Sequence, residues 1–360
     1  MKSSKLAITT LPLIGLLLLG DYFCSVSGNM LQVSSLAQTQ TKTKAKPPTK
    51  KKATPAAEDA DQPQSQSAIS VSVDLVSLQA LVTDDKGNIY TGFAPANFTI
   101  YEDNVRQEIT HFSPVEASTT TVMLVEFSRQ VEYFINEVWE SIYGFAKSLR
   151  QGDWVAVIGY DIRPTILCDF TQDHSELMDT LTRFNTPAFW ESNLSDALID
   201  ALDRVEEVDG KVCILLVSTG LDTLSTHTYE EALNKCKAAN ASVYAISLGQ
   251  SFRLRAEAYG LISATTNMEL LMADNRLRSF ADATGGQAWF PRFDTELPSI
   301  FKDLSQMLRS QYSIAYVSSN TKKDGKFRKI RVEVNADVTR NGKPVKLKIL
   351  TRKGYQAKAL

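Results

Sequence analysis

The sequence predicts an α/β protein with a doubly wound, mostly parallel sheet, and a small β-sandwich formed by the N- and C-terminal flanks. The middle of the chain supports the first part, because continuous apolar runs at residues 121–127 and 212–218 alternate with stripes at helical spacing. Such runs are typical of strands buried on both faces, and their alternation with helices favours a parallel sheet. The flanks support the second part, because their apolar residues alternate with polar ones.

The middle segment contains the predicted strands and helices in alternating order. The strands are expected at residues 121–127, 154–160, 164–170, 212–218, 242–249 and 287–290. The helices are expected at residues 134–149, 174–181, 196–205, 229–239, 275–283 and 297–308. In sheets of this type, ligands bind at the carboxyl ends of the strands where the topology changes direction. Residues 251–275 are long for a connection, and two alternatives stay open for them, a helical insert packed on the body or a partner-binding lid.

The two flanks are residues 68–117 and 311–360. Each has only about 50 residues, which is marginal for a stable sheet on its own. In the C-terminal flank Val345, Leu347 and Ile349 alternate with polar residues. We therefore predict that the flanks pair with each other into one β-sandwich beside the α/β domain of residues 118–310.

The N-terminal end has the features of an export signal followed by a linker. Residues 1–37 begin with a short cationic stretch and continue with an apolar run at 6–20, which is shorter than the roughly 20 residues of a membrane-spanning helix. Cleavage after Ser27 or after Ala37 stays open, and so does a retained anchor. Residues 38–67 contain six lysines and no aromatic or large aliphatic residue, which predicts a disordered, solvated linker.

Composition and charge exclude several classes of protein. The chain has 360 residues, of which 43% are hydrophobic and 22% charged, so it is neither wholly disordered nor, with 4 cysteines, a disulfide scaffold. The net charge of −2 divides into +1 for residues 1–37, +3 for residues 38–67 and −6 for residues 68–360. Because the body has no basic excess, the sequence does not predict nucleic-acid binding.

Several local motifs occur in a specific order along the chain. They include NFTIYEDNVRQEITHFS at 97–113, SLRQGDWVAVIGYDIRPTILCDFT at 148–171, ATGGQAWFPR at 283–292 and RKGY at 352–355. In this order and spacing they resemble a von Willebrand factor A (VWA) domain, and more closely the bacterial secreted VWA-related family with β-rich flanks. The resemblance covers nearly everything from residue 68 to the C-terminus. It implies a VWA/Rossmann-like α/β domain.

The resemblance also implies a metal-ion-dependent adhesion site (MIDAS) at the strand ends. The family pattern is D-x-S-x-S after the first strand, a Thr before a central helix, and an Asp after the fourth strand. Position by position, these residues fall on Glu126, Ser128, Gln130, Ser192 and Thr219. Two hydroxyl ligands are preserved in kind, whereas Gln130 replaces a hydroxyl with an amide and Thr219 removes a carboxylate. The resemblance therefore implies a degenerate site that needs no cofactor, with weak Mg²⁺ or Mn²⁺ binding as the alternative.

Further residues near the predicted site have two interpretations each. Asp222 is either a compensating carboxylate or an ordinary loop residue. Phe189 and Trp190 precede Ser192 and are either partner-binding anchors or packing residues. His227 is a candidate for partner binding, and its combination with Ser128 and Asp222 suggests a remote hydrolase alternative for which no G-x-S-x-G motif is present.

Among the cysteines, Cys213 and Cys236 should lie at the same end of the sheet. An exported protein could oxidise such a pair, but a buried free thiol is the alternative, and connectivity cannot be read from sequence.

These observations predict a non-catalytic, exported protein-binding or adhesion module that uses the top face of a VWA-like domain. The alternatives are a metal-dependent adhesion module with an altered site and, more remotely, a hydrolase. The expected partner is a protein or a cell-surface polymer, with membrane contact only through an uncleaved N-terminal segment. The expected location is the periplasm, the cell surface or the medium of a bacterium.

Overall fold

The structure is a computed structural model that describes residues 47–48, 75–113, 115, 117–182, 189–260, 262–340, 342–357 and 359. The predicted export signal, most of the predicted linker and the start of the N-terminal flank lie outside these residues. Within the described part of the chain, no helix combines the length and the apolar character needed to cross a membrane. Residues Lys44–Leu360 form one compact unit.

The six strands expected in the middle of the chain are present with small shifts at their ends, and the described parts of the flanks add ten more. They are β1 (Leu75–Asp84), β2 (Phe98–Glu102), β3 (Val105–Gln107), β4 (Ile109–Ser113), β5 (Thr119–Glu126), β6 (Trp154–Tyr160), β7 (Pro164–Thr171), β8 (Lys211–Ser218), β9 (Ser242–Ser247), β10 (Ala288–Trp289), β11 (Tyr312–Val317), β12 (Phe327–Val334), β13 (Thr339–Arg340), β14 (Lys343–Pro344), β15 (Leu347–Leu350) and β16 (Gly354–Gln356).

The helices also follow the expected order. They are α1 (Ile135–Ser148), α2 (His174–Thr182), α3 (Leu194–Arg204), α4 (Tyr229–Ala238), α5 (Gly249–Ala258), α6 (Ala264–Thr284) and α7 (Leu297–Arg309). A short 3-10 helix at Arg129–Phe134 leads into α1.

The central sheet is six-stranded and mostly parallel, as the sequence predicts. Its strand order is β10-β9-β8-β5-β6-β7, and only β7 runs antiparallel to its neighbour. This is the doubly wound order in which the first strand lies in the middle and the chain winds outward in both directions. Helices α1 and α7 cover one face, and α3, α4 and α6 cover the other. All the parallel strands end at one edge, which we call the top edge, and the opposite edge is the base.

Most of the described residues between 251 and 275 are helical, as in the first of the two alternatives that the sequence leaves open. They form most of α5 and the first half of α6, so α6 begins eleven residues earlier than the predicted helix at 275–283. The Ser263 side chain accepts a hydrogen bond from the Thr266 backbone nitrogen and caps the start of α6. Leu270 is buried against the body, whereas Met268 and Met272 are exposed.

The two flanks contribute strands to the same sheets. One antiparallel sheet has the order β15-β1-β11-β4, and a second has the order β16-β12-β2-β3. Leu78 of the N-terminal flank lies opposite Ile314 of the C-terminal flank, and Ile100 lies opposite Val332. Apolar side chains from both sheets meet in one buried cluster that includes Leu78, Ile100, Ile314 and Ile330. Each of the two antiparallel sheets is therefore built from strands of both flanks.

Arg352, from the RKGY motif, joins the C-terminal flank to the base of the α/β domain. Its buried guanidinium donates to the carbonyl oxygens of Ala239 (2.7 Å) and Lys237, just after and within the last turn of α4, and to that of Gly354 (2.9 Å). The Lys237 and Ala239 carbonyls lie at the end of α4, where carbonyl oxygens have no partner within the helix. Burial lowers the pKa of Arg352 to about 10. A Cβ on Gly285 would lie 2.1 Å from the backbone nitrogen of Arg352, so only glycine allows this close approach.

Within the part of the chain that the structure describes, Cys168, Cys213 and Cys236 form no disulfide. The sequence predicts that Cys213 and Cys236 lie at the same end of the sheet. This is not enough for a disulfide, because the two residues lie on opposite faces of the sheet. Cys213 packs among residues under α1 and α7, whereas Cys236 packs on the other face. Burial raises the pKa of each thiol to about 12, which makes both poor nucleophiles.

Replacement of Arg352 should loosen the contact between the flanks and the α/β domain. We expect Arg352→Ala to lower the free energy of unfolding by about 3 kcal/mol, because three carbonyl oxygens, one of them buried and two partly buried, lose their donor. Urea unfolding followed by circular dichroism measures this change. The matched control is Arg340→Ala, since that side chain is exposed. Equal effects of the two substitutions would contradict a structural role for Arg352.

Candidate functional site

The top edge gathers polar side chains that lie far apart in the sequence. Glu126 ends β5, Tyr160 ends β6 and Ser218 ends β8, with Thr219 directly after it. Because parallel strands end at the same edge of a sheet, these residues come together there. With Ser128, they form a buried group that we call the Glu126 cluster.

The Glu126 carboxylate is hydrogen-bonded on both oxygens. Its Oε1 accepts from Ser128 Oγ at 2.6 Å. Its Oε2 accepts three hydrogen bonds, from Ser218 Oγ at 2.9 Å, from the Thr219 backbone nitrogen at 2.7 Å and from Thr219 Oγ1 at 2.8 Å. Thr219, where the family pattern has a second carboxylate, is thus a donor to the first one.

Burial dominates the electrostatics of this cluster. Desolvation raises the pKa of Glu126, and the hydrogen bonds from Ser128, Thr219 and Ser218 offset only part of that increase. The Tyr160 hydroxyl donates to Ser218 Oγ at 2.8 Å. Burial and the nearby Glu126 charge raise the pKa of Tyr160 well above its usual value. The network is therefore a chain of neutral donors that ends on one carboxylate.

The loop before α3 closes over the cluster. The Gln130 amide donates to the Trp190 carbonyl at 2.8 Å, and the Arg129 backbone nitrogen donates to the Phe189 carbonyl at 2.7 Å. On its other side, the loop is held at Ser192, whose nitrogen donates to Thr223 Oγ1 at 3.0 Å. The substitution of an amide at position 130 thus provides a donor that fastens this loop.

The side chains of the loop point in two directions. Ser192 is fully buried, and its Oγ interacts with the Tyr160 phenol but has no ordinary hydrogen-bond partner among the described residues. Phe189 and Trp190 are 44% and 58% exposed. Two further apolar residues of the top edge, Tyr133 and Leu224, are also exposed. We call these four exposed residues the top face.

Asp222 and His227 do not contact the Glu126 cluster through any hydrogen bond. Asp222 accepts from Ser195 Oγ at 2.5 Å and from the Ser195 nitrogen at 3.0 Å, so it caps the start of α3. His227 Nδ1 lies 2.7 Å from Asp196 Oδ1 on the surface. The structure therefore does not bring Ser128, His227 and Asp222 together as a triad.

Sequence reasoning missed four residues of this edge, Tyr160, Ser218, Ser247 and Asp274. Tyr160 and Ser218 belong to the Glu126 cluster, and Asp274 of α6 accepts a hydrogen bond from Ser247 Oγ at 2.6 Å beside it. Burial raises the pKa of Asp274. A usable signal was present for Tyr160, Ser218 and Ser247, since each is a hydroxyl residue at the carboxyl end of a predicted parallel strand.

The residues present do not fit a divalent cation well. A Mg²⁺ ion takes six oxygen ligands in near-octahedral geometry, usually with carboxylates that neutralise its charge. Here the cluster has one carboxylate, whose two oxygens already accept four hydrogen bonds. Asp222 is engaged at α3, and the described residues include no group of three Asp, Glu, His or Cys side chains placed to hold a metal.

Comparison with known proteins returns similar folds at low sequence identity. No protein-family model and no curated protein matches this chain. Among solved structures, a von Willebrand factor type A protein from Catenulispora acidiphila matches 79% of this chain and 75% of its own, with 10% identity and a TM-score of 0.42. The vWF domain of the type V pili tip protein Mfa5 from Porphyromonas gingivalis matches 53% of this chain and 95% of its own, with 14% identity and a TM-score of 0.41.

BatB from Bacteroides thetaiotaomicron matches 53% of this chain and 98% of its own, with 13% identity and a TM-score of 0.40. At these TM-scores and identities the matches add nothing about the fold or the function of this chain. The doubly wound strand order of its α/β domain is the order that the sequence predicts.

The burial of the Glu126 carboxylate predicts a pH-dependent difference in stability between the wild type and the variant Glu126→Gln. In Glu126→Gln, the amide oxygen can accept the three bonds now made to Oε2, while the amide nitrogen donates to Ser128. The folded wild type binds the Glu126 proton more tightly than the unfolded chain does, so this group's contribution to stability falls as the pH rises above 4.5. The Gln variant should therefore gain stability relative to wild type between pH 4 and pH 8, by about 1.4 kcal/mol for each unit of raised pKa.

Urea unfolding at a series of pH values measures this difference. Glu126→Ala is the comparison variant, because it leaves four donors without an acceptor and should destabilise the protein at every pH, by about 3 kcal/mol. A difference between Gln variant and wild type that is constant from pH 4 to pH 8 would show that Glu126 titrates normally.

Proposed function

We propose that this protein is a non-catalytic, exported binding or adhesion module that recognises its partner through the top face of its VWA-like domain, without a metal ion. The observation that carries the proposal is the loop at 189–193. It exposes Phe189 and Trp190 while its backbone is hydrogen-bonded to Arg129 and Gln130. The degenerate MIDAS positions supply the support for this loop instead of ligands for a cation.

Physical chemistry favours such a loop as a recognition element. Exposed aromatic side chains contribute much of the binding energy at protein interfaces. Because the 189–193 loop is already held in place, a partner that binds there loses less free energy to ordering the loop. Tyr133 and Leu224, which follow two of the strands at the top edge, are exposed as well. A protein or a cell-surface polymer with apolar groups is the kind of partner that this surface suits.

The arrangement of hydroxyl and carboxylate groups supports a non-catalytic role. Ser128 is fully buried and donates to Glu126, so its Oγ is not presented to a substrate. His227 is exposed and paired with Asp196 instead of with a serine. Nucleophilic catalysis needs a nucleophile and a base within hydrogen-bond reach of each other, which these residues do not provide.

The N-terminal sequence indicates export, and an exported protein fits the proposed role. The apolar run at 6–20 resembles a secretory signal, and the lysine-rich segment after it resembles a linker. The body carries −6, so its charge does not favour nucleic acid as a partner. The periplasm, the cell surface and the medium are all compatible locations for this module.

Loss of the exposed aromatics should abolish partner binding without unfolding the protein. We expect Phe189→Ser with Trp190→Ser to reduce partner recovery at least tenfold in a pull-down with the exported form, with EDTA present or absent. Phe327→Ser is the matched control, because that aromatic is exposed in the flank sheets and away from the top edge. Equal recovery by the double variant and the control would contradict a binding role for the top face.

A metal-dependent module with an altered site is the second candidate, favoured only by the buried Ser192 Oγ, which has no ordinary hydrogen-bond partner among the described residues. Melting temperatures in Mg²⁺, Mn²⁺, Ca²⁺ and EDTA distinguish the two, since a cation that binds the native state must raise the melting temperature. We expect less than about 1 °C between these conditions. A rise of several degrees that disappears in Ser128→Ala would favour the metal-dependent function.

The combined change Glu126→Asp, Gln130→Ser and Thr219→Asp is the positive control for this experiment. It restores the family pattern at the three departing positions, so it should gain a metal-dependent rise in melting temperature if the positions are matched correctly.

A further inference from the structure

Two residues of the lysine- and proline-rich segment lie against the body. Pro47 is buried, and the Pro48 carbonyl accepts a hydrogen bond from the Asp209 backbone nitrogen at 3.0 Å. This differs from the solvated linker that the sequence predicts for residues 38–67. Proline lowers the cost of such a contact, because its fixed φ leaves less conformational freedom to lose on docking.

The contact lies on the turn between α3 and β8, at residues 205–210. This turn exposes three acidic side chains, Glu206, Glu207 and Asp209. Glu206 is paired with Lys235 at 3.1 Å, whereas Glu207 and Asp209 have no basic partner among the described residues. The turn therefore has uncompensated negative charge beside a docked proline pair.

The sequence around the proline pair carries the opposite charge. Lysines occupy positions 44 and 46 before the prolines and positions 50, 51 and 52 after them, within a segment of net charge +3. The body that includes the turn carries −6. Opposite charges of this density attract each other at short range in physiological salt.

We propose that the acidic turn at residues 205–210 is a docking site for the chain's own lysine- and proline-rich segment, residues 44–52. The prolines provide the contact seen at Asp209, and the lysines provide electrostatic attraction to Glu207 and Asp209. The segment is thus a bound strap, and its attachment weakens as salt concentration rises.

The position of the turn determines how far the docked segment lies from the top face, where we propose that the partner binds. Helix α3 begins at the top edge and ends at the base, and β8 begins at the base, so the turn lies at the end of the domain opposite the top face. Docking therefore keeps the lysine-rich segment away from Phe189 and Trp190. Only this consequence rests on the proposed function.

Site-specific photo-crosslinking in the full chain tests the docking directly. A benzophenone amino acid replaces Thr49, and crosslinked peptides are identified by mass spectrometry. We expect the crosslinks to fall mainly in the peptide that contains residues 205–210, and their yield to fall with increasing salt. Crosslinks spread over the surface, or concentrated near Phe189 and Trp190, would overturn the proposal.

Charge variants test the electrostatic part. Glu206→Lys, Glu207→Lys and Asp209→Lys combined should reduce the crosslink yield at least fivefold. The matched control reverses three other exposed acidic residues, Glu132, Glu257 and Glu269, and so changes the net charge equally. An equal loss of yield in both variants, or no loss in either, would overturn the role of the acidic turn.

A milder variant, Glu207→Gln with Asp209→Asn, keeps the ion pair of Glu206 with Lys235 and should still lower the yield at least twofold. Circular dichroism checks that each variant is folded. Because no partner is present, the crosslinking result is independent of the pull-down. A failed pull-down with base-directed crosslinks would reject the proposed function alone, and the reverse result would reject the docking alone.

Discussion

The burial of one carboxylate, that of Glu126, is the constraint on which the top edge of this protein depends. A charge removed from water needs hydrogen bonds on every available lone pair. Ser128, Ser218 and Thr219 provide them, and Tyr160 in turn donates to Ser218. The polar groups at the ends of three strands and in the loops that follow them are therefore fixed by a single acid. The surface loops rest on this network.

The fastening of the 189–193 loop connects the buried network to the surface. Gln130 is too long to reproduce a serine ligand, but its amide reaches the Trp190 carbonyl. Thr219 supplies no charge, but its hydroxyl and nitrogen both donate to Glu126. Gln130 and Thr219 thus both act as donors, one to the 189–193 loop and the other to Glu126. The base is held separately, through Arg352 at the end of α4.

Much of the architecture could be predicted from local patterns. Continuous apolar runs located the buried strands β5 and β8, because both of their faces are covered by helices. The alternation of apolar and polar residues located the flank strands. Each flank is marginal for a stable sheet on its own, so the two flanks pair with each other. The start of α6 was predicted eleven residues too late, because Met268, Leu271 and Met272 lie on an exposed face and break the apolar periodicity. A capping serine at position 263 was the signal that could have corrected it.

The sequence by itself determined the order of strands and helices along the chain and the residue types at the strand ends. Those depend on residue type and spacing, which are local. The tertiary structure alone decided what these residues do, since hydrogen bonds such as that from Gln130 to Trp190 join segments 60 residues apart. It also decided that Cys213 and Cys236 face opposite sides of the sheet. Side-chain partners across such distances are set by packing, and no pattern within one segment contains that information.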